Sequence, residues 1–232
     1  MAIAFVDSEV GSSAALLPDT ASTSPAATNT GADFLVVGVA SYQGQPTYTV
    51  TDDATSPANT YVNRSAYTEG LIARVRNSYL ESANTTSSQI WSVNGAGGFY
   101  SLCGLSFSGV AASGAYDTES GNFTSGDTSL APGALTASVN GAVYILTICW
   151  NANVTSISEN TGLFTLAGHV DYISSENFGL SVWYYIQPTA AEVNPTISWT
   201  TSTIAAATMS VFKPVPPAGG SPHRAFALLG VG

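Results

Sequence analysis

Apolar and polar residues alternate in short bursts along this chain, and clusters of Gly, Pro, Asn, Asp and Ser separate the bursts. Period-2 alternation with β-branched and aromatic enrichment is a strand signal. It predicts strands at Ala2–Val6, Phe34–Tyr42, Tyr48–Thr51, Leu71–Leu80, Gln89–Val93, Phe99–Val110, Leu135–Val139, Val143–Trp150, Gly179–Gln187, Thr196–Thr200 and Thr208–Phe212. In Val143–Trp150, one face carries Val143, Ile145 and Cys149, and the other Tyr144, Leu146, Ile148 and Trp150. Both faces are apolar, which places this strand centrally with cover on each side. Phe178, Leu180, Val182, Tyr184 and Ile186 alternate with Gly179, Ser181 and Tyr185, the pattern of a half-buried strand. Trp183 breaks that polar series, so Trp183 and Tyr185 are expected as surface aromatics.

No window carries a 3.6-residue apolar stripe; Ser65–Asn77 comes nearest, and Gly70 interrupts it. Many short strands with turn signals about every 8–15 residues point to an antiparallel β-sandwich or jelly roll. Gly11–Thr30 and Ala111–Pro132 read as long loops, the places where a β scaffold meets partners. The sandwich is expected over 1–214. A Pro/Gly linker follows at 215–222, which cannot continue a sheet. Residues 223–232 form an extended apolar tail carrying Phe226, Leu228, Leu229 and Val231. Such residues are costly to leave in water, so the tail is expected to fold back on its own domain or dock on a neighbouring subunit, with simple disorder as the remaining alternative.

Composition narrows the function. Charged residues make up 9% of the chain, yet 11 Tyr, 9 Phe and 4 Trp give it enough apolar surface to fold. The net charge is −10, and the only cations are Arg64, Arg74, Arg76, Lys213 and Arg224. Nucleic-acid binding rests on neutralising phosphates, so neither DNA nor RNA is expected as a partner. Anionic membranes are disfavoured on the same ground. Asp7 and Glu9 stand where the apolar core of a signal peptide would have to run, and no apolar run is long enough to span a bilayer. Cys103 and Cys149 each lie in an apolar run, either as two buried thiols or as one bridge between neighbouring strands.

Reactive constellations are sparse. Asp117 and Glu119 are two apart but fall in the Gly/Ser-rich segment, where solvated loop acids are the simpler reading than a glycosidase pair or a calcium loop. His169 and His223 are the only histidines, too few for zinc. A Ser-His-Asp set can be assembled on paper from so many serines, but no Gly-x-Ser-x-Gly elbow exists to present one. No enzyme activity, metal or cofactor is expected.

Gly31-Ala-Asp-Phe-Leu-Val-Val-Gly-Val-Ala-Ser-Tyr42 opens the first long strand, and Leu102-Cys-Gly-Leu-Ser-Phe-Ser-Gly-Val-Ala111 follows mid-chain. Asn177-Phe-Gly-Leu-Ser-Val-Trp-Tyr184, Pro195-Thr-Ile-Ser-Trp-Thr-Thr-Ser202 and Ser210-Val-Phe-Lys-Pro214 complete an ordered set over residues 31–214. That set resembles the concanavalin-like jelly-roll domains of tailed-phage structural proteins and bacterial surface proteins. The resemblance implies a virion-surface structural protein, a capsid decoration or fibre component. Its partners would be itself, as a homo-oligomer, and other particle proteins such as a capsid shell. A carbohydrate-binding module on a phage or bacterial surface, with glycans as partners, is the alternative. An extracellular particle released by lysis would fit a chain that shows no secretion signal.

Overall fold

The computed structural model describes residues 1–12, 20–24, 26–42, 48–54, 57–70, 72–95, 98–172 and 178–217, and among them the regular structure is strand without helix. Nine strands from the first half of the chain form one antiparallel sheet. They are β1 (Ala4–Ser12), β2 (Thr20–Thr23), β3 (Phe34–Tyr42), β4 (Tyr48–Asp52), β5 (Val62–Asn63), β6 (Tyr67–Glu69), β7 (Ala73–Glu81), β8 (Trp91–Gly95) and β9 (Phe99–Ser108). Their order is β4-β8-β2-β1-β9-β3-β7-β5, with β6 also on β7.

The second half supplies β10 (Tyr116–Leu130), β11 (Leu135–Thr136), β12 (Val143–Trp150), β13 (Ser158–Glu159), β14 (Thr165–Tyr172), β15 (Phe178–Ile186), β16 (Glu192–Val193) and β17 (Ile197–Phe212). The second sheet runs β10-β17-β12-β15-β14, with β13 also on β17, while β11 and β16 pair with each other. The chain is therefore an all-β, sandwich-like fold of antiparallel sheets, as its periodicity predicts.

Apolar side chains occupy three layers. Between the sheets, Phe34, Val36, Leu105 and Phe107 meet Val143, Ile145, Leu180, Val182 and Phe212. The opposite faces of β3 and β9 present Leu35, Val37, Val39, Tyr100 and Leu102, which pack against Tyr48, Val50, Trp91 and Val93. The latter belong to β4 and β8, several places away in the same sheet, so the sheet curls over on itself as a half-barrel. Gly104 permits the curl: a β-carbon there would overlap the Trp91 ring. The third layer lies on the far side of the second sheet. There Tyr144, Leu146, Trp150, Trp183 and Met209 cluster with Val154, Phe164 and Val193, which the connecting segments supply. β3, β9 and β12 thus have apolar layers on both faces, which is why their sequences read as continuous apolar runs.

One polar cluster crosses the middle layer. Asn77 on β7 donates to the Ile145 carbonyl at 3.2 Å and to Ser210 Oγ at 3.0 Å, and accepts from Thr147 Oγ1 at 2.6 Å. All three side chains are buried, so each depends on the others for its hydrogen bonds. Both cysteines are free and buried, which decides for thiols over a bridge.

The long loop expected at Ala111–Pro132 is instead mostly β10, a 15-residue strand paired with β17 along almost its whole length. It is the last strand of its sheet and much of one face meets solvent, so it has few apolar residues to announce it. β14 was likewise absent from the expected set; a bulge between Leu166 and Gly168 breaks its alternation. The two late runs at Thr196–Thr200 and Thr208–Phe212 are the ends of one strand, β17, joined through Ala205–Ala207.

Candidate functional site

The expected assembly residues Phe226, Leu228, Leu229 and Val231 lie outside the described residues. The described residues end at Pro217, just beyond a stitched segment. Lys213 N donates to the Ala115 carbonyl, Ala111 N to the Lys213 carbonyl and Val215 N to the Gly109 carbonyl, at 2.7, 3.0 and 2.9 Å. Pro214 bridges to Val110 between them. Beside this stitch runs a mainly apolar groove of about 340 Å³ lined by Ala111, Gly114, Val139, Pro214, Pro216 and Pro217, among others. Val139 is 38% exposed there. Phe123, on the outer strand β10, is 53% exposed.

The expectation of an exposed Trp183 is corrected. Its side chain is 7% exposed, in the cluster that also holds Phe164 and Val193. Alternation along β15 places it on the outer face correctly, but the connecting segments cover that face. Tyr185 is half-buried, its ring 6.1 Å from Tyr144 and 5.6 Å from Phe164.

The acids separate in the same way. Asp117 accepts from Ser138 N and Oγ, both at 2.7 Å. Glu119 pairs with Arg64, which donates from Nε and Nη2 at 3.2 Å each, and accepts from Ser65 Oγ at 2.6 Å. The Arg64 guanidinium lies 3.5 Å over the Tyr116 ring. The Glu119 and Tyr116 contacts tie β10 to the segment between β5 and β6, while Asp117 ties it to the segment between β11 and β12. Among the described residues no group of three or more His, Cys, Asp or Glu stands ready for a metal.

A Ser-His-Asp row does exist. His169 Nδ1 lies 2.7 Å from Ser181 Oγ, and Nε2 lies 3.1 Å from Asp171 Oδ1. The tautomer that serves both partners carries its proton on Nε2, donating to Asp171 and leaving Nδ1 to accept from the serine. The geometry arises because His169 and Ser181 are directly opposed on β14 and β15, and Asp171 follows two residues on along the same face. His169 and Asp171 border an open cleft of about 400 Å³ with Ser12, Ser22 and Ser24. Ser181, however, has no exposed surface and sits between two paired strands, with Ile148 on its other side. Its hydroxyl cannot reach a substrate in this arrangement. The signal for the row was His-x-Asp on one strand face, visible only once β14 is recognised as a strand.

A second polar group lies within the curled sheet. Ser41 is paired with Arg74, and Val39 with Arg76, all on the face that the curl encloses. Tyr48 faces them from β4, with the Arg76 guanidinium 5.1 Å from its ring centre and the Tyr100 ring 5.8 Å away. Burial pushes the Tyr48 phenol well up, and the two arginines pull partly against that shift. Among the described residues Arg64 is the arginine paired with a carboxylate, that of Glu119, and neither Arg74 nor Arg76 has such a partner.

No family model, curated protein or solved structure matches the chain. Its fold assignment therefore rests on strand order and layer packing alone. Asp52, at the opposite end of β4 from Tyr48, is fully engaged: Asn59, Tyr61 and Gln89 donate to Oδ2 at 2.8, 2.7 and 2.9 Å, and Ala54 N donates to Oδ1. Tyr61 in turn accepts from Trp91 Nε1 at 2.8 Å. That network fastens the curl rather than offering a free group.

Proposed function

We propose that this chain is a non-enzymatic structural component of a virus particle, a capsid decoration or fibre protein that works through protein–protein contacts. The observation that carries the reading is the exit of the chain. Residues 213–215 are stitched to 109–115 by backbone hydrogen bonds, and the segment leading to Phe226, Leu228, Leu229 and Val231 departs beside an exposed apolar groove. An apolar segment whose root is fixed to the domain is a device for assembly. The resemblance of residues 31–214 to jelly-roll domains of tailed-phage structural proteins supports the same role. So does the use of aromatic residues in layers: Trp91 and Trp150 have no exposed surface.

Deleting 218–232, rather than from 215, keeps the Val215 bond to Gly109. Light scattering should find the full chain associated and the deletion monomeric, with unchanged circular dichroism. A full chain that stays monomeric at high concentration, and behaves like the deletion, speaks against self-assembly through the tail.

A carbohydrate-binding module is the second reading. It is favoured by the cleft that Ser12, Ser22, Ser24, His169 and Asp171 line, whose polar groups suit sugar hydroxyls. A glycan array silent for both the native chain and His169→Ala removes it.

A further inference from the structure

We infer that the mouth of the curled sheet is an oxyanion-binding site built from Arg74, Arg76, Tyr48 and Ser41. The argument begins with charge. In a chain of net charge −10 with five cations, two arginines stand two residues apart on β7, and neither has an acid partner among the described residues. Elsewhere the same chain pairs its arginine where it half-buries one, at Arg64–Glu119.

Unmet hydrogen bonding is the second, independent observation. Arg74 Nε and Nη1, Arg76 Nε, the Tyr48 hydroxyl and Ser41 Oγ are all shielded from solvent without a hydrogen-bond partner. Tyr48 and Ser41 are 5% and 1% exposed. Buried donors are normally satisfied, and a cluster of them on one enclosed face marks a place that takes a ligand. Every member of the cluster can donate, and the two guanidinium groups add positive charge, so the complement is an acceptor carrying negative charge.

Size and class follow from the surroundings. Two cations on an otherwise acidic surface cannot hold a polyanion, whose affinity grows with the number of phosphates neutralised. The site instead fits one compact oxyanion, either a free inorganic one or the carboxylate of an acidic sugar. The aromatic wall of Tyr48 and Tyr100 beside the arginines would pack a sugar ring as readily as it shields an ion. The site is remote in sequence from the C-terminal tail.

Calorimetric titration of the full chain with sodium sulfate, sodium phosphate and sodium glucuronate, against sodium chloride at matched ionic strength, tests the assignment. At least one oxyanion should give a single saturable event per chain. Arg74→Gln and Arg76→Gln should each weaken it about tenfold or more. Lys213→Gln, which removes a cation elsewhere, should leave it unchanged. Tyr48→Phe and Ser41→Ala delete single donors and little volume, and should weaken it by about threefold to tenfold even if the arginine variants fold poorly. Response to glucuronate alone assigns a carboxylate ligand, and response to sulfate or phosphate alone assigns an inorganic one. No saturable event with any of the three overturns the site. So does equal affinity in folded Tyr48→Phe and Ser41→Ala. Deleting 218–232 should not change the binding, which separates this test from that of assembly.

Discussion

Each sheet has a face turned away from the shared middle layer, and the chain covers the two faces differently. The first sheet covers its own by curling, so that β4 and β8 bring Tyr48, Val50, Trp91 and Val93 over β3 and β9. The second sheet relies on connecting segments, which bring Val154, Phe164 and Val193 over Trp150 and Trp183. A cover made of strands keeps its backbone bonded in the ladder. In the second cover the short β11–β16 pair is laddered, and much of the rest finds side-chain partners instead. Ala137 N donates to the Tyr144 hydroxyl, that hydroxyl donates to Gln187, and Thr196 N donates to Asn160. Both covers leave buried donors without a partner: the indole N–H groups of Trp150, Trp183 and Trp199 under the loops, and the Tyr48 and Ser41 hydroxyls within the curl. The two covers differ in what holds their backbone, ladder bonds in the curl and mostly side-chain bonds in the loop layer.

The largest expected effect is at the centre of the curl. Trp91→Ala should cost about 4–5 kcal/mol in urea unfolding, because a cavity bounded by strands on both sides cannot collapse. Trp183→Ala should cost less, about 3 kcal/mol, since the loop layer can settle into the gap. The reverse order would break the comparison. Tyr144→Phe removes a hydroxyl that both accepts and donates, and should cost about 1–2 kcal/mol. Hydrogen exchange should quicken around Ala137 and Gln187 while β8 stays protected; equal loosening of β8 would show that the two covers are coupled.

A smaller effect lies between them, in the middle layer. Burial pushes the Cys149 thiol up to about 12 from an ordinary 9.0, against a slight lowering from the Ala206 backbone. The folded state therefore holds the proton more tightly than the unfolded one. The contribution of this group is constant below pH 9.0 and is lost as pH rises towards about 12, and the buried Cys103 thiol, also pushed up, acts in the same sense. Cys149→Ala should flatten that alkaline decline, and thiol labelling at pH 9 should proceed only as fast as unfolding. The smallest effect is at the Arg64–Glu119 pair, where Glu119→Gln should cost about 1 kcal/mol or less and shrink further in high salt.

The same contrast explains what could be read in advance. β3 and β12 were legible to the residue, because a strand with apolar layers on both faces must be apolar throughout. β10 was not, since as the last strand of its sheet it carries Thr, Ser, Asn and Asp on a solvent face. Alternation told which face of β15 Trp183 occupies; it could not tell that loops cover that face. The Arg74 and Arg76 pair was visible as charge. Its placement inside a curl was not, because the curl depends on Gly104 lying beneath Trp91, a contact between residues far apart in the chain.

The division of the chain between the sheets has a further consequence. Among the described residues, every ladder of 4–108 stays in the first sheet and every ladder of 116–212 in the second and its small satellite pair. The segment 109–115 is therefore the bridge between two pieces that share a core but no ladder. A protein nicked there should behave as a heterodimer of its own halves, reassembling through the middle apolar layer with the Asn77–Thr147–Ser210 cluster fixing the register. Neither half alone would stay soluble, because each would present that layer to water.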